Sequence, residues 1–130
     1  MRKTLIAGLM ACLAVGMAYA ADAPGKEMYV RYCGACHGPK GKGDGIAGTF
    51  MRSKPIDLTQ IAKKNNGEFP FMRMMETIDG RRSVRAHGDP EMPVWGEILK
   101  DQASSPMARD NEVRGKVMAI TDYIRSIQEK

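Results

Sequence analysis

The sequence is poor in aromatic residues and cysteines, and it lacks long apolar runs. Its 130 residues include one tryptophan, three phenylalanines, four tyrosines and three cysteines. No apolar run comfortably reaches the roughly 20 residues that a membrane-spanning helix needs. Alternation of apolar and polar residues, which is typical of a half-buried strand, is also missing. Basic residues do not cluster with aromatic ones, so nothing suggests a nucleic-acid partner.

The N-terminus has the pattern of a secretory signal peptide. A basic start precedes the apolar run Thr4–Val15, and Ala18-Tyr19-Ala20 forms a small-residue cleavage site. We therefore predict that residues 1–20 are cleaved after Ala20 and that the mature protein is periplasmic. Two alternatives stay open: a retained membrane anchor, and lipidation of Cys12 within the lipoprotein-like box Leu9-Met10-Ala11-Cys12.

Residues 21–130 are enough for a single small domain. Once Arg2 and Lys3 are removed, 18 basic residues face 15 acidic ones, so the net charge falls from +5 to +3. Cys12 also leaves with the signal peptide, so the mature chain keeps only Cys33 and Cys36. In an exported protein such a pair is expected to be oxidised or otherwise occupied.

The pentapeptide Cys33-Gly34-Ala35-Cys36-His37 accounts for that pair, because C-x-x-C-H is the signature of covalent haem attachment. Positions i and i+3 share one face of a helix, so Cys33 and Cys36 can each form a thioether along one edge of the porphyrin. His37 follows at once and can turn its imidazole towards the iron. The motif therefore predicts one haem c with His37 as an axial ligand.

Three other interpretations of the motif compete. A Cys33–Cys36 disulfide is geometrically feasible but would not need His37. A thioredoxin-like redox pair requires a strand–helix setting, and no strand pattern lies nearby. A zinc site requires four ligands, and the mature chain offers only Cys33, Cys36, His37 and His87.

An electron carrier favours a second axial ligand, because six-coordinate iron rearranges little when the electron moves. Methionines at helical spacing are by default core filler. Met92 differs, since it lies in a loop interrupted by Gly88, Pro90, Pro93 and Gly96, and the proline after it disfavours a helical conformation. Met92 is thus the predicted second ligand, with His87 as the main rival. The methionines considered were Met28, Met51, Met72, Met74, Met75, Met92, Met107 and Met118.

The remaining pattern is helical. A first helix is predicted from Pro24, a middle helix over about residues 69–79, and a last helix whose stripe of Val113, Val117, Ile120, Ile124 and Ile127 repeats at spacings of 4 and 3. The small Gly25 is expected to let the first helix cross the last closely, with Tyr29 against its residues. The glycine-rich stretch after Gly38 is expected to wrap the haem edge. These elements predict an all-α fold of a few helices around one ring.

With these motifs in hand, the chain resembles class I c-type cytochromes of the bacterial, Met-ligated kind over nearly all of residues 25–128. Cys33-Gly34-Ala35-Cys36-His37-Gly38 and Met92-Pro93-Val94-Trp95-Gly96 carry most of the resemblance, which Thr121-Asp122-Tyr123-Ile124 extends. It implies the cytochrome c fold, covalent haem c, and iron ligation by His37 and Met92. One departure is that Ile46 stands where relatives commonly have a proline, near the carbonyl that holds the proximal imidazole.

The expected function is electron transfer rather than enzymatic turnover. The protein would pass single electrons between periplasmic or membrane-bound redox partners, with peripheral contact to membrane complexes as one option. The alternatives are a haem c subunit of a dehydrogenase or oxidase complex, and a small peroxidase or gas-binding protein. Two interpretations of the basic surface residues compete: a basic rim that attracts an acidic partner, and an ordinary solvated surface. The members of such a rim would be Lys40, Lys42, Lys54, Lys63, Lys64, Arg81, Arg82 and Arg85.

A domain of this size has a small core of its own, so the haem must supply much of the buried apolar surface. We therefore expect the double variant Cys33→Ala/Cys36→Ala, which cannot attach haem, to be largely unfolded. Circular dichroism of the purified apoprotein measures this. A near-native helical spectrum would contradict the prediction.

Overall fold

The computed structural model describes residues 24–82 and 93–130. The predicted signal peptide lies outside the described residues, as do the predicted ligand Met92 and its rival His87. The described part contains six α-helices and two short 3-10 helices, and it contains no β-strand, which confirms the expected all-α class. The helices are α1 (Pro24–Tyr32), α2 (Gly34–His37), α3 (Ile61–Lys64), α4 (Phe71–Asp79), α5 (Trp95–Lys100) and α6 (Arg109–Ser126), with 3-10 helices at Ile46–Phe50 and Leu58–Gln60.

The last helix is the scaffold of the described part. α6 packs against α1, α4 and α5, and its predicted stripe faces them. Val113, Val117, Ile120 and Ile124 are buried, and Ile127 is partly buried just beyond the helix end. The spacing of 4 and 3 residues places them along one side of α6, so the predicted stripe is confirmed.

The close crossing of α1 and α6 depends on Gly25. A β-carbon at this position would overlap the backbone carbonyl of Ala119. One turn further on, Tyr29 is fully buried, and its ring lies against that of Tyr123 with centroids 5.0 Å apart. The predicted contact between the two helices is therefore confirmed.

The middle helix begins two residues later than the sequence indicated. Phe69 precedes Pro70, and the residue before a proline is disfavoured in the helical conformation. Pro70 accordingly occupies the position before the first turn, and α4 runs from Phe71 to Asp79. Gly80 ends it in the left-handed conformation, as glycine commonly does after a helix.

We expect Gly25→Ala to lower the free energy of unfolding of the haem-loaded protein by about 1–3 kcal/mol, because α1 must move away from α6 to admit the methyl group. Chemical denaturation followed by circular dichroism measures the change. Gly115→Ala is the matched control, since Gly115 is an exposed residue of α6 and an added β-carbon there would meet nothing within 4 Å. The control should gain up to about 1 kcal/mol from helix propensity. Equal stability of the two variants would show that the crossing is not tight.

Candidate haem-binding site

The attachment motif forms a short turn of helix directly after α1. The Cys33 amide donates to the Tyr29 carbonyl at 2.8 Å, and the His37 amide donates to the Cys33 carbonyl at 2.9 Å. Helical hydrogen bonding therefore continues through the motif, which puts both cysteines and the histidine beside one another. The turn ends at Gly38, whose φ of 80° lies in the region that favours glycine.

The buried Tyr29 ties this turn to the core. Its hydroxyl donates to the Gly38 carbonyl at 2.8 Å. Burial raises the pKa of Tyr29 well above its ordinary value, and the nearby Cys33, Tyr123 and Asp44 add to the rise. The hydroxyl is therefore protonated at neutral pH and remains a donor.

The glycine-rich stretch packs against the attachment turn. The Gly43 amide donates to the His37 carbonyl at 2.8 Å, and the Gly45 amide donates to the Cys36 carbonyl at 3.2 Å. A β-carbon at Gly45 would overlap the backbone of α2. Among the described residues that line the cavity beside the motif, none is a glycine of this stretch. Their small size serves contact with the backbone that carries the motif, and the wrapping of the haem edge by these glycines stays a prediction.

The His37 imidazole is oriented by a backbone carbonyl 19 residues further along the chain. Its Nδ1 lies 3.1 Å from the Ile56 carbonyl oxygen. A carbonyl can only accept, so Nδ1 carries the proton and Nε2 carries the lone pair that an iron ligand needs. The acceptor thus lies at Ile56, after Pro55, and not near Ile46.

The turn that follows Ile56 is held by Asp57 and Thr59. The Asp57 carboxylate accepts from the Thr59 amide at 2.9 Å and from the Thr59 hydroxyl at 2.6 Å. Burial alone would raise the pKa of Asp57, but these two hydrogen bonds and the charges of Lys42 and Lys64 outweigh it. The pKa therefore lies below its ordinary value, and the carboxylate is charged at neutral pH.

Both cysteines and His37 face one open cavity. The other walls come from the segment between residues 51 and 58, from Met74 and Ile78 of α4, and from Pro93 and Trp95. This lining is mostly apolar and suits a large, flat, largely apolar group with three attachment points on one wall.

The thiols of Cys33 and Cys36 are not joined in a disulfide. Burial raises the pKa of Cys33 to about 12, with a further contribution from Cys36. The Cys33 thiol is accordingly protonated at neutral pH. Within the described ranges, no three His, Cys, Asp or Glu side chains come together where they could hold a metal ion. The fourth ligand of the zinc alternative, His87, lies outside those ranges.

The methionines divide into three groups. Met75 is buried in the core and Met28 is partly buried against it, as the default predicts. Met72, Met107 and Met118 are exposed, so for them that default is wrong. Met51 and Met74 line the cavity that His37 faces. Sequence reasoning missed the last pair, because the spacing within their own segments does not reveal a cavity formed by distant elements.

One comparison with known proteins agrees with this geometry. The family model for cytochrome c matches residues 23–128. The chain belongs to the cytochrome c family. Neither the curated proteins nor the solved structures that were searched gave a match. None of the helices in the described part of this cytochrome is both long and apolar enough to cross a membrane.

Family membership specifies the cofactor class and the fold. Cytochromes of this family carry covalent haem c and transfer electrons, and the matched stretch contains the whole attachment motif. The cavity fits that cofactor: two cysteines and one oriented imidazole face a mostly apolar space. The expected cytochrome c fold is therefore confirmed.

Proposed function

We propose that this cytochrome carries one haem attached through Cys33 and Cys36, with His37 and Met92 as axial ligands, and that it passes single electrons between redox partners in the periplasm. The observation that carries the proposal is the His37 imidazole, which faces the same cavity as both cysteines and whose Nδ1 donates to the Ile56 carbonyl. That bond leaves Nε2 as the nitrogen with the lone pair.

The haem supplies the one-electron couple, and the chain sets its surroundings. The Ile56 carbonyl raises the basicity of the His37 ring and fixes its orientation. The apolar walls, among them Ile78 and Trp95, limit the access of water and influence the reduction potential. These are the requirements of an electron carrier, in which little needs to move when the oxidation state changes.

Met92 is proposed as the second ligand on the strength of its loop sequence and of the position of its neighbour. Pro93, the next residue in the chain, lines the cavity. A thioether ligand paired with an imidazole raises the reduction potential compared with two imidazoles. Met51 and Met74 also line the cavity and join His87 as rivals that an experiment must exclude.

The proposed location rests on the signal-peptide pattern of residues 1–20. Export also agrees with a mature chain whose two cysteines both belong to the attachment motif. A haem c subunit of a dehydrogenase or oxidase complex would use the same site, so this alternative differs only in its partner. A peroxidase or gas-binding protein would require an iron position that is open or easily vacated.

Lys54 is the basic residue best placed to attract a partner. It is exposed and lines the cavity. Three other members of the suggested basic rim form ion pairs: Lys42 with Glu129, Arg81 with Asp79 and Arg82 with Glu76. Among the rim members that the structure describes, Lys54 is the one that lines the cavity, so we expect the attraction for an acidic partner to be strongest near it.

We expect Met92→Ala to abolish the weak near-infrared band of a Met-ligated ferric haem and to lower the reduction potential. His87→Ala, Met51→Ala and Met74→Ala are the matched controls and should keep the band. Absorption spectroscopy of the oxidised, haem-loaded proteins measures it. Retention of the band in Met92→Ala, with its loss in one of the controls, would reassign the ligand.

The same proteins distinguish a carrier from an enzyme. Reduced wild-type protein should bind carbon monoxide slowly and incompletely, whereas Met92→Ala should bind it quickly. A fast and complete Soret shift in the wild-type protein would favour a peroxidase or gas-binding function.

We expect Lys54→Glu to slow oxidation of the reduced protein by anionic ferricyanide about three- to tenfold at low ionic strength, because the charge near the cavity is reversed. Oxidation by a cationic cobalt(III) complex should become faster, and added salt should diminish both effects. Stopped-flow absorbance measures the rates. Arg114→Glu makes the same charge change at an exposed residue of α6 that does not line the cavity, and it should change the rates less. Equal effects of the two variants would show that overall charge alone is responsible.

A further inference from the structure

The residues just after α6 are bonded to the segment that orients His37. The Gln128 side chain donates from Nε2 to the Leu58 carbonyl at 2.8 Å and to the Ile124 carbonyl at 2.8 Å. Its Oε1 accepts from the Ala62 amide at 2.8 Å. One side chain therefore joins the end of α6 to both ends of the turn between Leu58 and Ala62.

Neighbouring bonds hold the same turn. The Leu58 amide donates to the Gly41 carbonyl at 2.7 Å, and the Glu129 amide donates to the Thr59 carbonyl at 2.9 Å. Leu58 is thus held through its amide by the glycine-rich stretch and through its carbonyl by Gln128. Regular structure begins only at Leu58, so the backbone between Pro55 and Leu58 is held by these attachments together with the Asp57–Thr59 hydrogen bonds.

The direction of the Ile56 carbonyl depends on where this backbone is held. Ile56 lies two residues before Leu58, and its carbonyl accepts the His37 Nδ1–H. Movement of the Leu58 peptide would turn the intervening peptide plane and lengthen or bend that hydrogen bond. Hydrogen bonds weaken steeply as their angle departs from linearity.

We propose that Gln128 is a positioning residue for His37: by holding the Leu58 carbonyl it keeps the Ile56 carbonyl aimed at the imidazole Nδ1–H. The proposal rests on the proposed function for the role of His37 as iron ligand. Groups that hydrogen-bond a ligating histidine govern its orientation and basicity, so this contact contributes to the reduction potential.

The chemistry of the contact calls for a carboxamide. Gln128 donates to two carbonyls and accepts from one amide, and a carboxamide has both kinds of atom. A carboxylate of the same shape could still accept from Ala62 but would face the Leu58 and Ile124 carbonyls without a donor. A methionine would keep the volume and lose all three hydrogen bonds.

The test compares Gln128→Glu and Gln128→Met with wild type in the haem-loaded protein. We expect both variants to speed solvent exchange of the His37 Nδ1–H, followed by NMR of the ferrous protein, by about tenfold or more. We also expect the redox equilibrium to shift towards the ferrous form by about two- to tenfold, where tenfold is 59 mV for a one-electron couple. The direction follows because a less basic imidazole stabilises ferric iron less.

Ser126→Ala is the matched control. It removes the hydrogen bond from the Ser126 hydroxyl to the Tyr123 carbonyl at the same helix end, without a bond to the 56–62 segment. It should leave both the exchange rate and the reduction potential at their wild-type values. If the Gln128 variants merely loosened the end of α6, the exchange rate and the reduction potential of the control would change as well. That result would overturn the proposal.

Two further results would overturn it. Wild-type exchange and potential in both Gln128 variants would show that the Ile56 carbonyl is held without this side chain. A change in Gln128→Met but not in Gln128→Glu would show that the Ala62 contact alone matters.

Amide exchange of the α6 core verifies folding, and Gln128→Glu decides the question if Gln128→Met does not fold. If the His37→Ala variant kept the haem spectrum of the wild type, the proposed function would be overturned as well. The preceding results overturn only the role of Gln128.

Discussion

The crossing of α1 over α6 is the contact on which the rest of the structure depends. It brings the backbones together at Gly25 and buries Tyr29 completely. Because α1 leads directly into the attachment turn, the crossing also determines where the cysteines lie. The Tyr29 hydroxyl extends this constraint to the Gly38 carbonyl, one residue beyond His37. Core packing and haem attachment are therefore parts of one arrangement.

The cavity explains why so short a chain with so few aromatic residues can form this fold. Several apolar residues face the cavity as well as each other, including Leu58, Ile78 and Ile124. A bound haem would bury the exposed surface of half-buried lining residues such as Met51, Met74 and Trp95, and apolar burial is the dominant favourable contribution to folding. The cofactor is in this sense part of the core as well as the redox centre.

The histidine side of the site is held by elements that are remote in the sequence. The glycine-rich stretch bonds to the His37 and Cys36 carbonyls, and the Ile56 carbonyl accepts from the imidazole. The end of α6 in turn secures the turn that follows Ile56. This arrangement explains how the ring of a histidine at the end of a four-residue helix obtains a fixed orientation: support comes from three other segments.

Local patterns of the sequence determined the attachment motif and the main helices. Helical geometry over three or four residues accounts for the spacing of Cys33, Cys36 and His37 and for the stripe along α6. Proline and glycine marked the ends of α4 to within two residues for the same reason. Only the tertiary structure decided that Ile56 is the partner of His37, that Met51 and Met74 reach the cavity, and that Gln128 bonds to Leu58 across 70 residues. Those contacts depend on how distant segments pack in space, and backbone carbonyls, which every residue carries, leave no signal in the sequence.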